Sequence, residues 1–154
     1  MMIRRPPAPI TPVALRAWTA TGAHGHGIEA LASLLAANRS ALRANDLPGI
    51  TLSTAIGRVD GLESLPWSHD WAAWDSRGTR LAWWGLQADG FVDTVARARE
   101  RHGPGRIGLV LGTSSSTIAV SEAAYRALDD QGRFPAALRH PDLNTPHAIT
   151  AFVQ

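Results

Sequence analysis

The stretch RIGLVLGTSSSTIAVSEAAY, residues 106–125, decides how the chain is read. Ile107 to Leu111 is a near-continuous run of leucine and β-branched side chains, the pattern of a strand covered on both faces in a parallel sheet. Three serines follow at 114, 115 and 116, and Glu122 to Asp129 then reads as a helix, with DDQGRFP as its exit. A serine-lined strand end has three chemical uses: a nucleophile, a phosphate cradle or the wall of a pocket.

Working outward, Pro12 to Trp18 is a short apolar run ending at turn residues, as expected of a buried strand. After the glycine-rich TATGAHGHG, Ile28, Leu31, Leu34 and Leu35 recur at helical spacing, and Asn38 with the polar run to Pro48 ends that helix. Gly49 to Gly61 has room for a short strand. Trp67, Trp71 and Trp74 fall at i, i+4 and i+7, which on a helix gives one aromatic packing face. Asp75 or Ser76 is placed to cap a long helix from about Arg77 to Arg101, with Leu81, Trp84 or Leu86, Val92, Val95 and Ala96 inward. Arg97, Arg99 and Arg101 load its last turns, where cations suit the helix dipole, and HGPG breaks it. Thr145 and Pro146 read as the cap and first residue of a final helix. This alternation predicts an α/β fold, with mostly parallel strands joined by crossover helices.

Composition narrows the function classes. A chain of 154 residues with 45% hydrophobic and 18% charged residues is that of a globular domain rather than a disordered segment. All 15 basic residues are arginines, scattered rather than striped, and the net charge is only +2, which argues against nucleic acid as a partner. No segment is apolar over the ~20 residues that a membrane helix needs. There is no cysteine, which removes disulfides, thiolate metal sites and a cysteine nucleophile from this chain. MMIRRPPAPITP has no apolar core before its prolines and is no secretory signal, so the expected location is cytoplasmic.

The candidate sites sort by spacing. Gly22, Gly25 and Gly27 give G-x-x-G-x-G, which matches neither G-x-G-x-x-G nor the glycine pattern of short-chain dehydrogenases, and no lysine follows Tyr125. A tight turn is the simpler reading, and no cofactor is expected. His24 and His26 form an H-x-H pair without a third ligand, and His69, His102, His140 and His147 show no ligand spacing, so no metal is expected either. GTSSST lacks the spacing and the lysine of a phosphate loop, and it lacks the closing glycine of a nucleophile elbow. Small hydroxyl residues beyond a strand end leave room for a ligand and bond locally to the backbone, so they fit a pocket wall. The competing reading is a polar turn that caps the helix after it.

Two long passages carry a family resemblance. PVALRAWTATGAHGHGIEALASLLAANRSAL is similar to the start of the β-ketoacyl-acyl carrier protein synthases, with Asn38-Arg39-Ser40-Ala41 in place of that family's GrSg-like loop. WDSRGTRLAWWGLQADGFVDTVARARERHGPGRIGLVLGTSSSTIAVSEAAY resembles the family's long helix and following strand, its GTS-type loop and its E-x-x-Y helix. The resemblance implies the N-terminal part of a thiolase-like fold over 12–154, after a proline-rich extension over 1–11. It implies decarboxylative Claisen condensation of an acyl thioester with a malonyl-carrier thioester, in fatty-acid or polyketide synthesis. The implied partners are acyl carrier protein and a second subunit, in a homodimer or heterodimer. The family's cysteine nucleophile and its histidines lie beyond the matched part, so no catalytic residue is carried over and the chain alone is expected to be inactive. Gly112, Thr113, Ser114, Ser115 and Ser116 become the implied acyl-pocket wall. A non-catalytic chain-length-factor-like subunit and a nucleotide-binding α/β domain are the alternatives.

Overall fold

The computed structural model describes residues 11–154. Its strands are two antiparallel ladders of two residues each: β1 (Thr21–Gly22) with β2 (Gly25–His26), and β3 (Arg43–Ala44) with β4 (Ala55–Ile56). Helices supply the remaining regular structure: α1 (Ile28–Ala36), α2 (Arg77–Leu86), α3 (Phe91–His102), α4 (Ile118–Arg126) and α5 (Ala148–Val153), with short 3-10 turns between them. The expected parallel-sheet α/β, thiolase-like fold is therefore overturned. No parallel pair occurs among the described residues. The proline-rich extension expected over 1–11 lies, except for Thr11, outside them.

Both runs read as buried strands fail for the same reason. Pro12 to Trp18 has no regular structure, with Val13 93% exposed. Ile107 starts an extended segment (φ −105°, ψ 120°), yet residues 107–111 join neither ladder and Val110 is 98% exposed. An apolar run encodes a preference for burial, but a strand also needs neighbours for its N–H and C=O groups, and nothing in the run specifies them.

The helices follow local chemistry more closely. In α1, Ile28, Leu31 and Leu34 are half-buried on one face while Leu35 is exposed. The helix ends where Asn38 takes a left-handed conformation (φ 48°), its N–H donating to Leu35 O and that of Arg39 to Leu34 O. Its N-cap, Gly27, offers no side chain. The Asp89 carboxylate takes that place, accepting from the Ile28 amide at 3.0 Å and from Thr19 Oγ1 at 2.7 Å. Gly27 has φ +86°, and a Cβ there would stand 3.0 Å from Asp89 Oδ1, so the position requires glycine twice over.

This remote cap also explains a second correction. The single long helix expected from Arg77 to Arg101 is two helices, interrupted at Gln87–Gly90, where Asp89 (φ 57°) and Gly90 (φ 65°) are left-handed. The apolar spacing runs through the break, but Asp89-Gly90 is a turn-forming pair, and beyond it Val92, Val95 and Ala96, expected inward, are exposed. The bend delivers the Asp89 carboxylate to the α1 N-terminus.

α2 starts at a capping box. Ser76 Oγ accepts from the Thr79 amide at 3.2 Å, and the Ser76 amide donates to Thr79 Oγ1 at 3.1 Å. Thr79 is fully buried, and its hydroxyl also reaches the carbonyls of Trp74 and Ser76. The tryptophans do not share a continuous helix, because His69–Trp74 is 3-10 with Trp71 off helical geometry (φ −108°, ψ 15°). They still converge: Trp67, Trp71 and Trp74 have ring centroids 5.5, 5.9 and 6.0 Å from Phe152 of α5, and Trp83 of α2 meets Trp71 edge-on at 4.7 Å. Arg80 lies over Trp67 and pairs with Asp75, whose carboxyl is held below its usual range first by that hydrogen bond and, more weakly, by the charge of Arg80.

Candidate functional site

The serine loop reaches its position because α2 lets it approach. Gly78, in the first turn of α2, has room for no Cβ: one would meet Ser116 O at 3.0 Å and Ile149 Cδ1 at 3.1 Å. Loop, α2 and α5 thus close on a single glycine. The loop turns on Thr113, whose Oγ1 accepts from the Ser116 amide at 2.8 Å, and Ser116 adopts φ 47°. Helix α4 starts at Ile118 rather than Glu122 and ends at Arg126, short of Asp129. The buried Thr117 does not cap it with its side chain. Its hydroxyl donates instead to Leu143 O, tying the loop to the segment before α5.

Thr113, Ser114, Ser115 and Ser116 line one side of a cavity of about 290 Å³, with Ile118, Leu143 and Pro146 among the facing residues. Gly112 stands just outside this lining. Ser114 and Ser115 are exposed at the mouth, whereas Ser116 Oγ is shielded from solvent and has no hydrogen-bond partner. No acid, histidine or arginine is among the lining residues. Among the described residues, the lining offers hydroxyl and apolar groups to a ligand and no side-chain base beside the serines.

Leu143 and Asn144 were not singled out in the sequence, which offers no spacing that relates them to the serines. Asn144 is the organising residue of the far wall: Oδ1 accepts from the His140 amide at 2.8 Å, and Nδ2 donates to Ser121 Oγ of α4 at 3.0 Å. The last helix begins at Ala148, with Thr145 Oγ1 accepting from the His147 amide at 3.3 Å.

The other candidate residues are not drawn to this cavity. Gly22 and Gly25 are cross-strand partners in the β1–β2 hairpin, and the α1 N-terminus, where a pyrophosphate would sit, already holds the Asp89 carboxylate. His26 stacks on Trp84 with centroids 4.8 Å apart, and His24 Nε2 is shielded without a partner. No group of three histidine, aspartate, glutamate or cysteine side chains among the described residues is arranged to hold a metal ion. No helix among them is long and apolar enough to cross a membrane.

Comparison with protein-family models, with curated proteins and with solved structures finds no match to this chain.

Proposed function

We propose that the chain is the acyl-binding segment of a β-ketoacyl-acyl carrier protein synthase, acting on acyl thioesters with a nucleophile supplied from outside these 154 residues. The proposal concerns the serine loop and its ligand class. It does not extend to the sheet architecture, which the antiparallel ladders overturn. Two things support it: the sequence resemblance of residues 12–42 and 74–125, whose long helix and following strand the structure does not contain, and the cleft beside the loop. The cavity carries the argument. This open cleft of about 290 Å³ is lined by small hydroxyl residues together with Ile118, Leu143 and Pro146. Such a lining accepts a short acyl chain, and the hydroxyls at the mouth suit the thioester carbonyl and amide groups behind it. With no cysteine in the chain and no base in the cavity, the segment binds and positions rather than condenses.

The test is titration of the chain with hexanoyl-pantetheine, followed by calorimetry. Saturable binding is expected, at least tenfold weaker for Ser115→Phe, with an unchanged unfolding transition because Ser115 is exposed. Failure to bind, or equal binding by the variant, would overturn the proposal. Condensation with malonyl-carrier protein by this chain alone would also do so.

A further inference from the structure

A second cavity, of about 320 Å³, lies on the other side of the Ser121–Asn144 hydrogen bond, which both cavities share as a wall. Its chemistry is different. The apolar lining comes from the buried Ala124, from Leu138 and Pro141, and from Tyr125 and Phe134, which meet edge-to-face at 5.0 Å and 87°. Arg139 and His140 complete it. The Arg139 Nε donates to Phe134 O at 3.1 Å, which fixes the plane of the guanidinium, and its terminal nitrogens make no salt bridge among the described residues. Asp129, the acid near enough to feel the charge of Arg139, is engaged elsewhere. Its carboxylate accepts from the Arg133 and Gln131 amides at 2.9 Å each and from Arg133 Nε at 2.9 Å.

We infer that this cavity is a binding site for a small amphiphilic carboxylate, with the apolar body against Tyr125, Phe134 and Leu138 and the head group on the Arg139 guanidinium. A guanidinium oriented by one hydrogen bond and free at its other nitrogens presents the planar fork that carboxylates match. Octanoate, a carboxylate on a short apolar body, is the probe of that chemistry. The inference stands apart from the condensing-enzyme reading, since the serines of residues 114–116 line only the first cavity.

Octanoate, octanol and octyltrimethylammonium are titrated into the intact chain by calorimetry, with amide NMR shifts locating the site. Octanoate is expected to bind with a Kd on the order of 1 mM, in keeping with the modest affinity per atom of small ligands. Octanol should bind at least tenfold more weakly, and the cation should not bind. Arg139→Gln should reduce octanoate affinity about tenfold while leaving octanol unchanged, and Leu138→Trp, which fills the cavity, should weaken both. Ser115→Phe should leave octanoate binding intact, which separates this site from the first cavity. Equal affinity for octanoate and octanol, an unaffected Arg139→Gln variant, shifts confined to other residues, or no saturable binding would each overturn the inference.

Discussion

The aromatic cluster around Phe152 and the irregular segment 107–111 are both strongly apolar, and they reach opposite ends. The first draws Trp67, Trp71, Trp74 and Trp83 together beside the fully buried Thr79, whereas the second leaves Val110 almost wholly in solvent. Hydropathy does not separate them; the accounting of backbone hydrogen bonds does. α2 satisfies its own peptide groups and closes its N-terminus with Ser76 and Thr79, so its apolar face is free to meet α5. An extended segment has no such internal solution and is buried only with a strand on each side.

The contrast can be broken by mutation, and the largest effect belongs to the cluster. Phe152→Ala removes the ring shared by three tryptophans and is expected to cost about 3 kcal/mol in urea unfolding monitored by tryptophan fluorescence. A loss below 1 kcal/mol would show that the cluster is only a surface arrangement. Thr79→Val keeps the volume but strips the Ser76 amide of its acceptor and the Trp74 carbonyl of its donor, with an expected cost of about 2 kcal/mol. Gly27→Ala strains a left-handed residue and displaces the Asp89 carboxylate, so a loss of about 1–2 kcal/mol is expected, of the size of a lost cap. Asp89→Ala should reproduce most of it, and additivity of the two would refute the shared origin.

Smaller still is the Asp75–Arg80 pair, whose carboxylate is partly exposed. Its folded pKa lies below the unfolded value of about 3.9, so its contribution is complete above that pH and is lost as pH falls through the folded pKa. Screening limits it to about 0.2–1 kcal/mol, and Arg80→Gln should remove that part of the acid dependence. At the bottom of the scale, Val110→Thr should change stability by less than ~0.5 kcal/mol while lowering self-association in sedimentation, because an unpaired apolar edge is a template for pairing. A cost above 1 kcal/mol would mean that the segment is buried in solution and would abolish the contrast.

How much was legible follows the same division. The helical spacing of Ile28, Leu31 and Leu34, though not of the exposed Leu35, the stop at Asn38 and the cap expected at Asp75 or Ser76, found at Ser76, are short-range facts with counterparts in the structure. The break between α2 and α3 had a local signal in Asp89-Gly90 that the apolar spacing masked, whereas the contact of Asp89 with the Ile28 amide joins residues far apart in the chain. The hydroxyl content of the serine loop could be read from residue type, but not whether it walls a pocket or makes a turn. The facing wall, Leu143 and Asn144, and the guanidinium of Arg139 could not, since no spacing relates them to the serines or to Tyr125.

By itself, then, the sequence determined what short stretches can settle internally: the stop of α1 at Asn38, the capped start of α2, which residues are apolar, and that this chain carries no thiol. Only the tertiary structure decided which apolar runs are buried, that the chain pairs its strands antiparallel in two small ladders, and that two cavities share the Ser121–Asn144 wall. The physical reason is range. Helical hydrogen bonds close within four residues and can be read locally, whereas strand partners, remote caps and cavity walls are set by contacts between segments that the sequence leaves far apart.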